Sequence, residues 1–348
     1  MFYIHQTSCI SPQQTFADTD ISKLQELTGN HLKAIEPVYN GIAPAVLRRM
    51  GKSVRMGVGT ALSIINESTS LDGIIMGTGN GGKEDCVKFL TQIVDYNEGL
   101  LTPINFVQST PNAAAAQVGL LTGNHGYNIT HVHLGLAFEL AMIDADMLLL
   151  EHPSHNYLLG AVDDIATYNY IFEEKSGSYK PGNVSNLSLY RDDSAGSIAG
   201  EGSAMFLVNG TAARALAKIV AIDTLHHTDE TVIKEKLQSF IKRHLPENEK
   251  VDIFITGENG DNRLLKYYEA CESIMEEHVT IARFKHMSGE FPTASAMGLW
   301  VCCNILQRQL IPEHMVKNNP SKSPYRNIVL YNNYKGLQHS YMLISLPS

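Results

Sequence analysis

The chain has 348 residues, of which 44% are hydrophobic and 18% are charged, and its formal net charge is −9. This composition is typical of a globular protein with one large domain or two smaller ones, and it excludes a disordered or fibrous chain. The acidic balance argues against a nucleic-acid partner, because binding to phosphate backbones requires a basic face.

The N-terminus and the cysteines predict a cytoplasmic protein. The first residues, MFYIHQTSCISPQQTF, show no basic segment followed by an apolar one, so we expect no export signal. No apolar run reaches the roughly 18 residues that a membrane span requires. The five cysteines are scattered and form no CxxC pair, which is typical of reduced thiols.

Short apolar runs alternate with helix-like stretches along the chain, a pattern typical of an α/β fold. The predicted strands are GIIMG (73–77), DMLLLE (146–151), SAMFLV (203–208), VDIFIT (251–256) and NIVLYNN (327–333). The predicted helices cover residues 83–95, 112–122, 134–143, 231–243 and 293–310. Small residues are frequent within these helices, as expected of helices buried between layers.

A segment rich in glycine, serine and asparagine, residues 174–202, separates two groups of these elements. We therefore predict an N-terminal half over residues 1–173, a surface connection over residues 174–202 and a C-terminal half over residues 203–348. A second break, PSKSPY (320–325), precedes the last pair of strands.

The first candidate binding feature in chain order is a basic cluster. Its members are Arg48, Arg49, Lys52 and Arg55. Such a cluster is more often a solvated helix face, but it could also dock an acidic partner. The sequence leaves both interpretations open.

The stretch GTGNGG (77–82) follows a predicted strand and fits the pattern G-x-G-x-x-G. In a dinucleotide site those glycines would bring backbone N–H groups close to a pyrophosphate. However, no suitable ribose-binding acid lies about 20 residues further on, where that fold requires one. A glycine-rich turn that allows backbones to pack closely is the better explanation.

The stretch GYNITHVHLGLAFE (126–139) places His131 and His133 two residues apart, which puts both on one face of a strand. A zinc site would need a third ligand, for which His152 and His155 are candidates, but no HExxH or CxxC frame supports one. We therefore expect no metal and interpret the pair as histidines that fill a polar niche. A metal-dependent hydrolase remains an alternative.

The sequence offers no clear nucleophile. A serine hydrolase would show G-x-S-x-G at a turn from strand to helix, and the chain has no such motif. Cys86 and the pair Cys302 and Cys303 fall within predicted helices, where we expect buried core thiols.

The stretch FKHMSGEFPTASAMGLW (284–300) is the densest in groups capable of chemistry. It places Lys285, His286 and Glu290 in a loop before a helix rich in small residues. Those small residues permit close contact with a neighbouring layer. The stretch is also compatible with a simple helix start capped by Thr293 or Ser295.

Several motifs occur in a family-specific order along nearly the whole chain. They are YIHQTSCISPQQTF, LRRMGKSVRMGVGTA, GIIMGTGNGG, FVQSTPNAAAAQVGLLTGNHGYN, AVDDI, GEGSAMFLV, KHMSGEFPTASAMG and LYNNYKGLQHSYMLI. In this order they resemble the β-ketoacyl synthases of the thiolase superfamily. Within that family they resemble cysteine-less, chain-length-factor-like proteins of aryl polyene and dialkylresorcinol (flexirubin-type) pathways. It implies an αβαβα sandwich of two duplicated thiolase-like halves, each with a mixed five-stranded sheet.

The resemblance also implies where catalytic groups would lie, and the chain departs from the family at each place. The family's nucleophile would fall near Gly135, yet residues 123–145 contain no cysteine. The counterpart of the first family histidine is TGENGDN (256–262), which has none, and the second falls at Glu290. The terminal loop has become NNYKGLQ (332–338), in which Gly336 is kept.

The resemblance therefore predicts a subunit that does not form an acyl-enzyme and that partners an active ketosynthase in fatty acid or polyketide (polyene) biosynthesis. We expect a heterodimer, or else a homodimer, with acyl carrier protein met through the partner, and no cofactor. The relic-site positions are Gly135, Glu290, Lys285 and Asn333. The positions expected to contact substrate or the tunnel are His131, His133, Phe138 and Phe291.

An active enzyme is the alternative. In that interpretation His131, His133, Glu290 and Lys285 would form an acid–base set. They would condense or transfer acyl groups from acyl-ACP or acyl-CoA without a covalent intermediate. Lys285 could instead simply pair with Glu290 or Glu258.

Overall fold

The computed structural model describes residues 1–16, 20–65, 70–318 and 324–347, so the predicted break at 320–325 lies largely outside the described residues. The strands are β1 (Phe2–Ile10), β2 (His31–Leu32), β3 (Gly73–Gly77), β4 (Tyr127–His131), β5 (Tyr157–Asp163), β6 (Ala199–Gly200), β7 (Gly202–Asn209), β8 (Ala217–His226), β9 (Ile253–Thr256), β10 (Thr280–Arg283), β11 (Val316–Asn318), β12 (Asn327–Tyr334) and β13 (Gln338–Ser345). The helices are α1 (Pro44–Leu47), α2 (Lys52–Ile64), α3 (Lys83–Asp95), α4 (Pro103–Gln108), α5 (Ala113–Thr122), α6 (Ala137–Glu151), α7 (Thr167–Lys175), α8 (Glu230–His244), α9 (Leu265–Glu272), α10 (Lys285–Ser288) and α11 (Ala294–Arg308).

The strands form two half-sheets with the same plan. The first has the order β1-β7-β5-β3-β4, and the second has the order β8-β13-β12-β9-β10 with β11 added at its edge. In each half the first two pairings are antiparallel and the next two are parallel. The described strands therefore show the duplication that the family resemblance predicted.

Strand β1 connects the two half-sheets into one. Residues Phe2–Ile4 pair with β8, while the strand from Tyr3 to Ile10 pairs with β7, and a bulge lies between Ile4 and Gln6. Because β1 is hydrogen-bonded on both sides, the described strands form an eleven-stranded sheet rather than two separate five-stranded ones. A small second sheet joins β2 to β6.

Helices α6 and α11 lie between the half-sheets. The central core combines their side chains, such as Phe138 and Trp300, with those of both half-sheets, such as Ile75 and Ile255. Helices α2 and α5 cover the outer face of the first half, and α8 and α9 cover that of the second. This layering confirms the predicted αβαβα sandwich.

One predicted strand is wrong. The run DMLLLE (146–151) is the last part of helix α6, whereas GIIMG coincides with β3. Ala145 and Leu149 are buried while Met147 and Leu150 are exposed, which is the four-residue period of one helix face. A short apolar run does not distinguish a strand from a half-buried helix, and here the helix prevails.

The connection over residues 174–202 is partly buried. It contributes to a small apolar cluster formed by Leu32, Val184, Leu189 and Ile198. The ammonium group of Lys180 is buried beside it and donates to the backbone oxygens of Asp192 and Ser194, both at 3.0 Å. The predicted boundary before residue 203 stays a prediction, and β7, which spans that point, pairs with strands of the first half.

Candidate functional site

The turn between β4 and α6 carries the predicted nucleophile position. Strand β4 ends at His131, and α6 begins at Ala137. Between them Leu134 has φ +50°, a backbone conformation that branched and bulky residues rarely adopt. The Gly135 N–H donates to the side-chain oxygen of Gln338 at 2.9 Å, which anchors the turn to β13.

Gly135 has no room for a side chain. A Cβ atom built on it would lie 2.2 Å from Cβ and 2.4 Å from Cγ of Tyr334. Tyr334 is the last residue of β12 and is 8% exposed, so its ring closes the space above the turn. The space beside Gly135, which the sequence predicts as the place of a family thiol, is filled by a residue from the opposite half of the molecule.

Glu290 stands at the second predicted base position and is bound on both oxygens. The ammonium nitrogen of Lys285 lies 2.7 Å from one carboxylate oxygen, and Nδ2 of Asn259 lies 2.8 Å from the other. Lys285 is fully buried. Of the two partners that the sequence allowed for Lys285, the structure selects Glu290, while Glu258 pairs with other basic residues.

Backbone geometry fixes Glu290 in this place. The preceding residue, Gly289, has φ +69°, and a Cβ on it would lie 2.6 Å from the Cα of Gly200. The Glu290 N–H donates to the Ile198 carbonyl at 2.7 Å, and the Gly200 N–H donates to the Glu290 carbonyl at 2.9 Å. The connection over residues 174–202 therefore holds one wall of the site.

Two further polar side chains, those of Glu139 and Asn333, are fully buried. The fully buried carboxylate of Glu139 accepts a hydrogen bond from Ser340 at 2.8 Å, and burial raises its pKa. The side-chain oxygen of Asn333 accepts a hydrogen bond from the N–H of Gly336, at 2.8 Å, in the turn between β12 and β13. Asn333, a predicted relic-site residue, thus stabilises a turn.

The histidines of the turn are not among the hydrogen-bond partners of Glu290 and Lys285 in the described part of the chain. Nε2 of His131 is 2.9 Å from the Asp144 carboxylate on α6, and His133 is exposed. Phe138 is fully buried in the central core, with its ring 5.9 Å from that of Phe206. The structure therefore does not assemble the four-residue acid–base set of the alternative interpretation in one cavity.

A cavity of about 300 Å³ lies beside Glu290. Its wall includes Phe291, a predicted tunnel residue, and Tyr334, while His131 and His133 are not part of it. The rings of Tyr170 and Tyr179 stack along it, with centroids 5.3 Å apart and planes inclined by 13°. This cavity is where the structure brings a relic-site residue and a tunnel residue together.

Backbone N–H groups of the glycine-rich loop 77–82 are hydrogen-bonded to a carboxylate of the same chain. Asp163, at the end of β5, is fully buried and accepts hydrogen bonds from the N–H groups of Gly79 and Asn80, at 3.0 and 2.6 Å. It also accepts from the hydroxyl groups of Thr78 and Thr293, at 2.9 and 2.7 Å. The loop amides that would bind a pyrophosphate are therefore already occupied.

The thiols are not placed for nucleophilic catalysis. Four cysteines are buried, and burial raises the pKa of Cys9, Cys271 and Cys303 to about 12. Cys86 is half-buried in α3, and no cysteine lines the cavity beside Glu290.

Two members of the basic cluster serve the fold. Lys52 pairs with the buried Glu201, and Arg55 pairs with Glu36 at 2.8 Å. Arg48 and Arg49 are exposed and remain available for a partner.

Two further features are missing from the described part of the chain. In residues 1–16, 20–65, 70–318 and 324–347, no group of three His, Cys, Asp or Glu side chains is placed to hold a metal ion. Within the same ranges no helix combines the length and apolar character that crossing a bilayer requires.

Sequence reasoning missed Tyr334, Asn259 and the cavity-lining Asp164. Tyr334 and Asn259 lie in the motifs NNYKGLQ and TGENGDN, which the family resemblance singles out by residues that the family has and this chain lacks. Asp164 belongs to AVDDI, in which two adjacent acids follow an apolar run. That unusual pair was the available signal.

Comparison with solved structures establishes the fold. A β-ketoacyl synthase from Burkholderia phymatum is 12% identical over 99% of both chains, with a TM-score of 0.78. The ketosynthase ApeO in complex with its chain length factor ApeC, from Xenorhabdus doucetiae, is 11% identical over 99% of this chain and 98% of that chain, with a TM-score of 0.76. A type II polyketide synthase acyl carrier protein in complex with its ketosynthase, AntDE:AntF, is 13% identical over 99% of both chains, with a TM-score of 0.73.

No family model and no curated protein matches the sequence. The chain is thus similar in fold to ketosynthases and to ketosynthase/chain length factor complexes over its whole described length, at low sequence identity. The predicted resemblance in fold is confirmed.

Proposed function

We propose that the protein is a ketosynthase-like subunit that forms no acyl-enzyme and pairs with an active ketosynthase in polyketide or fatty acid biosynthesis. One observation carries the proposal. Gly135, at the turn where the family presents its nucleophile, has no thiol and no room for one, because Tyr334 fills the space. Acyl transfer through a covalent intermediate requires a nucleophile at that point.

The arrangement of Glu290 supports the same conclusion. Condensation needs hydrogen-bond donors that stabilise the negative charge developing on the malonyl unit. A carboxylate held by Lys285 and Asn259 supplies acceptors instead, and it would repel the malonyl carboxylate.

The free edge of the sheet supports a partner subunit. Strand β4 is an end strand of the eleven-stranded sheet, and no described strand pairs with its outer side. A sheet edge of this kind readily pairs with another chain. Exposed apolar side chains lie on or just after β4 and on helices α5 and α6, which pack against it: Tyr127, Val132, Leu134, Leu120, Leu121, Met147 and Leu150.

Carrier-protein docking belongs to the partner in this proposal. An acyl carrier protein is acidic, and this chain carries a net charge of −9, so the two repel each other at long range. The exposed Arg48 and Arg49 are the remaining members of the basic cluster and would add at most a local contact.

Co-purification and turnover test the proposal. The tagged protein is co-expressed with a ketosynthase encoded in the same organism, and condensation of acyl-ACP with malonyl-ACP is measured for each subunit and for the pair. We expect turnover by the pair and none by this subunit alone. Condensation by the isolated subunit would contradict the proposal and favour the active-enzyme alternative.

Interface variants make the test specific. Val132→Asp places a charge beside the β4 edge, where the residue is 52% exposed, and we expect it to abolish co-purification and turnover by the pair. Leu310→Asp is the matched control, since Leu310 is 51% exposed but lies just after α11. Equal effects of the two substitutions would argue against pairing through β4.

A further inference from the structure

One carboxylate that lines the cavity beside Glu290 has no basic partner among the described residues. Four acidic side chains line it. Three of them have a cation at bonding distance: Glu173 with Lys335 at 2.6 Å, Asp261 with Arg263 at 2.5 Å and Glu290 with Lys285 at 2.7 Å. Within the described ranges, the fourth, Asp164, has no ion-pair partner within 4 Å and no side-chain hydrogen-bond donor.

Asp164 is held there at an energetic cost. Its side chain lies at the cavity wall, and the residue is 6% exposed. Two carboxylates, Asp163 and Glu201, and two cations, Lys52 and Arg55, face it. The cations are already engaged, Lys52 by Glu201 and Arg55 by Glu36. Burial and the neighbouring acids raise the pKa of Asp164 to about 7.

The aromatic side chains, the volume and the charge of the cavity suit an organic cation. The stacked rings of Tyr170 and Tyr179 line the cavity and present apolar aromatic surface against which an alkyl chain can pack. The volume of about 300 Å³ matches the lower end of the range for small-molecule sites. An anion would meet four carboxylates in this space, of which one is unneutralised.

We propose that this cavity binds a small ligand bearing an ammonium group, with Asp164 as its counter-ion and the Tyr170–Tyr179 wall against its alkyl part. The site lies entirely within this chain. It is therefore independent of the proposed pairing with a ketosynthase, and each idea can fail without the other. An ammonium ion at Asp164 supplies the partner that the described part of the chain does not provide.

Binding of 1-butylammonium to the full-length protein tests the proposal by calorimetry. We expect a dissociation constant of about 1 mM, reasonable for so small a ligand. The affinity rises about tenfold from pH 6 to pH 8, because only the ionised form of Asp164 binds. Binding releases up to one proton from Asp164. This release is measured by comparing the binding enthalpy in buffers that have different ionisation enthalpies. 1-Butanol and butanoate, of the same length, bind at least tenfold more weakly. No saturable binding of 1-butylammonium, a pH-independent affinity, or equal binding of 1-butanol overturns the proposal.

Substitutions separate the site from the rest of the fold. Asp164→Asn abolishes binding and proton release, and at pH 8 it raises the unfolding temperature, because it removes a buried charge repelled by its neighbours. Tyr170→Leu weakens binding severalfold. Tyr168→Leu is the matched control, since Tyr168 lies on the same helix but is 52% exposed and outside the cavity wall. Unchanged binding by the folded Asp164→Asn protein, or equal weakening by both tyrosine variants, overturns the proposal.

Discussion

Nε2 of His286 lies 2.8 Å from Nδ1 of His314 in the interior of the protein. The other nitrogen of His314 is 2.9 Å from the carbonyl of Ile21, so it must carry a proton. In neutral His314, Nδ1 then accepts a hydrogen bond, and Nε2 of His286 donates it. Nδ1 of neutral His286 accepts in turn from the hydroxyl of Tyr190, at 3.1 Å. The four groups form one directed chain that requires both imidazoles to be neutral.

This chain predicts a loss of stability in acid. Burial lowers the pKa of His286 well below its usual value, and it also lowers that of His314. Because the unfolded chain binds protons more readily, the stabilisation is present above the unfolded pKa of about 6.5 and is lost as the pH falls below it. Each unit by which a pKa is lowered corresponds to about 1.4 kcal/mol.

The measurement is the free energy of unfolding at pH 7 and pH 5 for wild type and for His286→Phe and His314→Gln. We expect both variants to depend less on pH than wild type does in this window. His152→Gln is the control, because His152 is exposed. An unchanged pH dependence in both buried variants would count against the directed chain.

The contact between Gly135 and Tyr334 predicts that a thiol cannot simply be introduced at residue 135. Gly135→Cys forces a Cβ atom to within 2.2 Å of the Tyr334 Cβ, and overpacking of this kind destabilises by about 1–3 kcal/mol or more. We expect a protein that unfolds at lower denaturant concentration and forms no acyl adduct detectable by mass spectrometry.

A double-mutant cycle checks the cause. Tyr334→Gly removes the clashing Cβ and should reduce the free-energy penalty of Gly135→Cys, whereas Tyr334→Ala retains that atom and should relieve it less. Equal relief by both substitutions would show that some other contact sets the penalty.

The buried pair of Lys285 and Glu290 predicts a strong asymmetry between single and double substitution. Lys285→Met leaves the Glu290 carboxylate buried without its cation, which typically costs about 3–5 kcal/mol of unfolding free energy. The double variant Lys285→Met with Glu290→Gln removes both charges and should recover most of that loss. Lys335→Met is the control: it breaks the more exposed pair with Glu173 and should cost about 1 kcal/mol or less. Denaturant titration of the four proteins distinguishes these outcomes.

Local sequence patterns correctly predicted helices and strands whose formation depends mainly on neighbouring residues. GIIMG, bounded by glycines, coincides with β3, and the predicted helix 83–95 coincides with α3. DMLLLE failed because a short apolar run has no visible period, and the fold continues α6 through it. The order of motifs predicted the sandwich correctly, since it spans the whole chain.

The site was harder to predict because its contacts are distant in sequence. Tyr334 fills the space at Gly135 although it lies about 200 residues further along the chain. No sequence pattern near either residue predicts this contact. The cavity joins the connection 174–202 to the loops after β5 and β12. Reading that connection as a surface segment therefore hid one wall of the site.

The adjacent acids Asp163 and Asp164 should respond in opposite directions to the same substitution. Asp163 accepts hydrogen bonds from two hydroxyl groups and from backbone N–H groups of the glycine-rich loop and of Thr293. Asp163→Asn turns one acceptor into an NH₂ group that faces those donors, so we expect a loss of about 3 kcal/mol or more. Asp164 has no comparable donors among the residues that the structure describes and is repelled by Glu201, so Asp164→Asn should stabilise the protein.

The pH dependence of the unfolding temperature distinguishes the effect of Asp164→Asn from that of Asp163→Asn. Because the pKa of Asp164 is raised to about 7, the folded state holds a proton that the unfolded chain releases, and the contribution of Asp164 to stability falls as the pH rises from about 4 to 7. The gain from Asp164→Asn should therefore be largest near pH 8 and disappear near pH 4. Thermal unfolding of wild type and both variants across this range provides the measurement. A stabilisation by Asp164→Asn that is equal at both ends would mean that charge at this position is not its source.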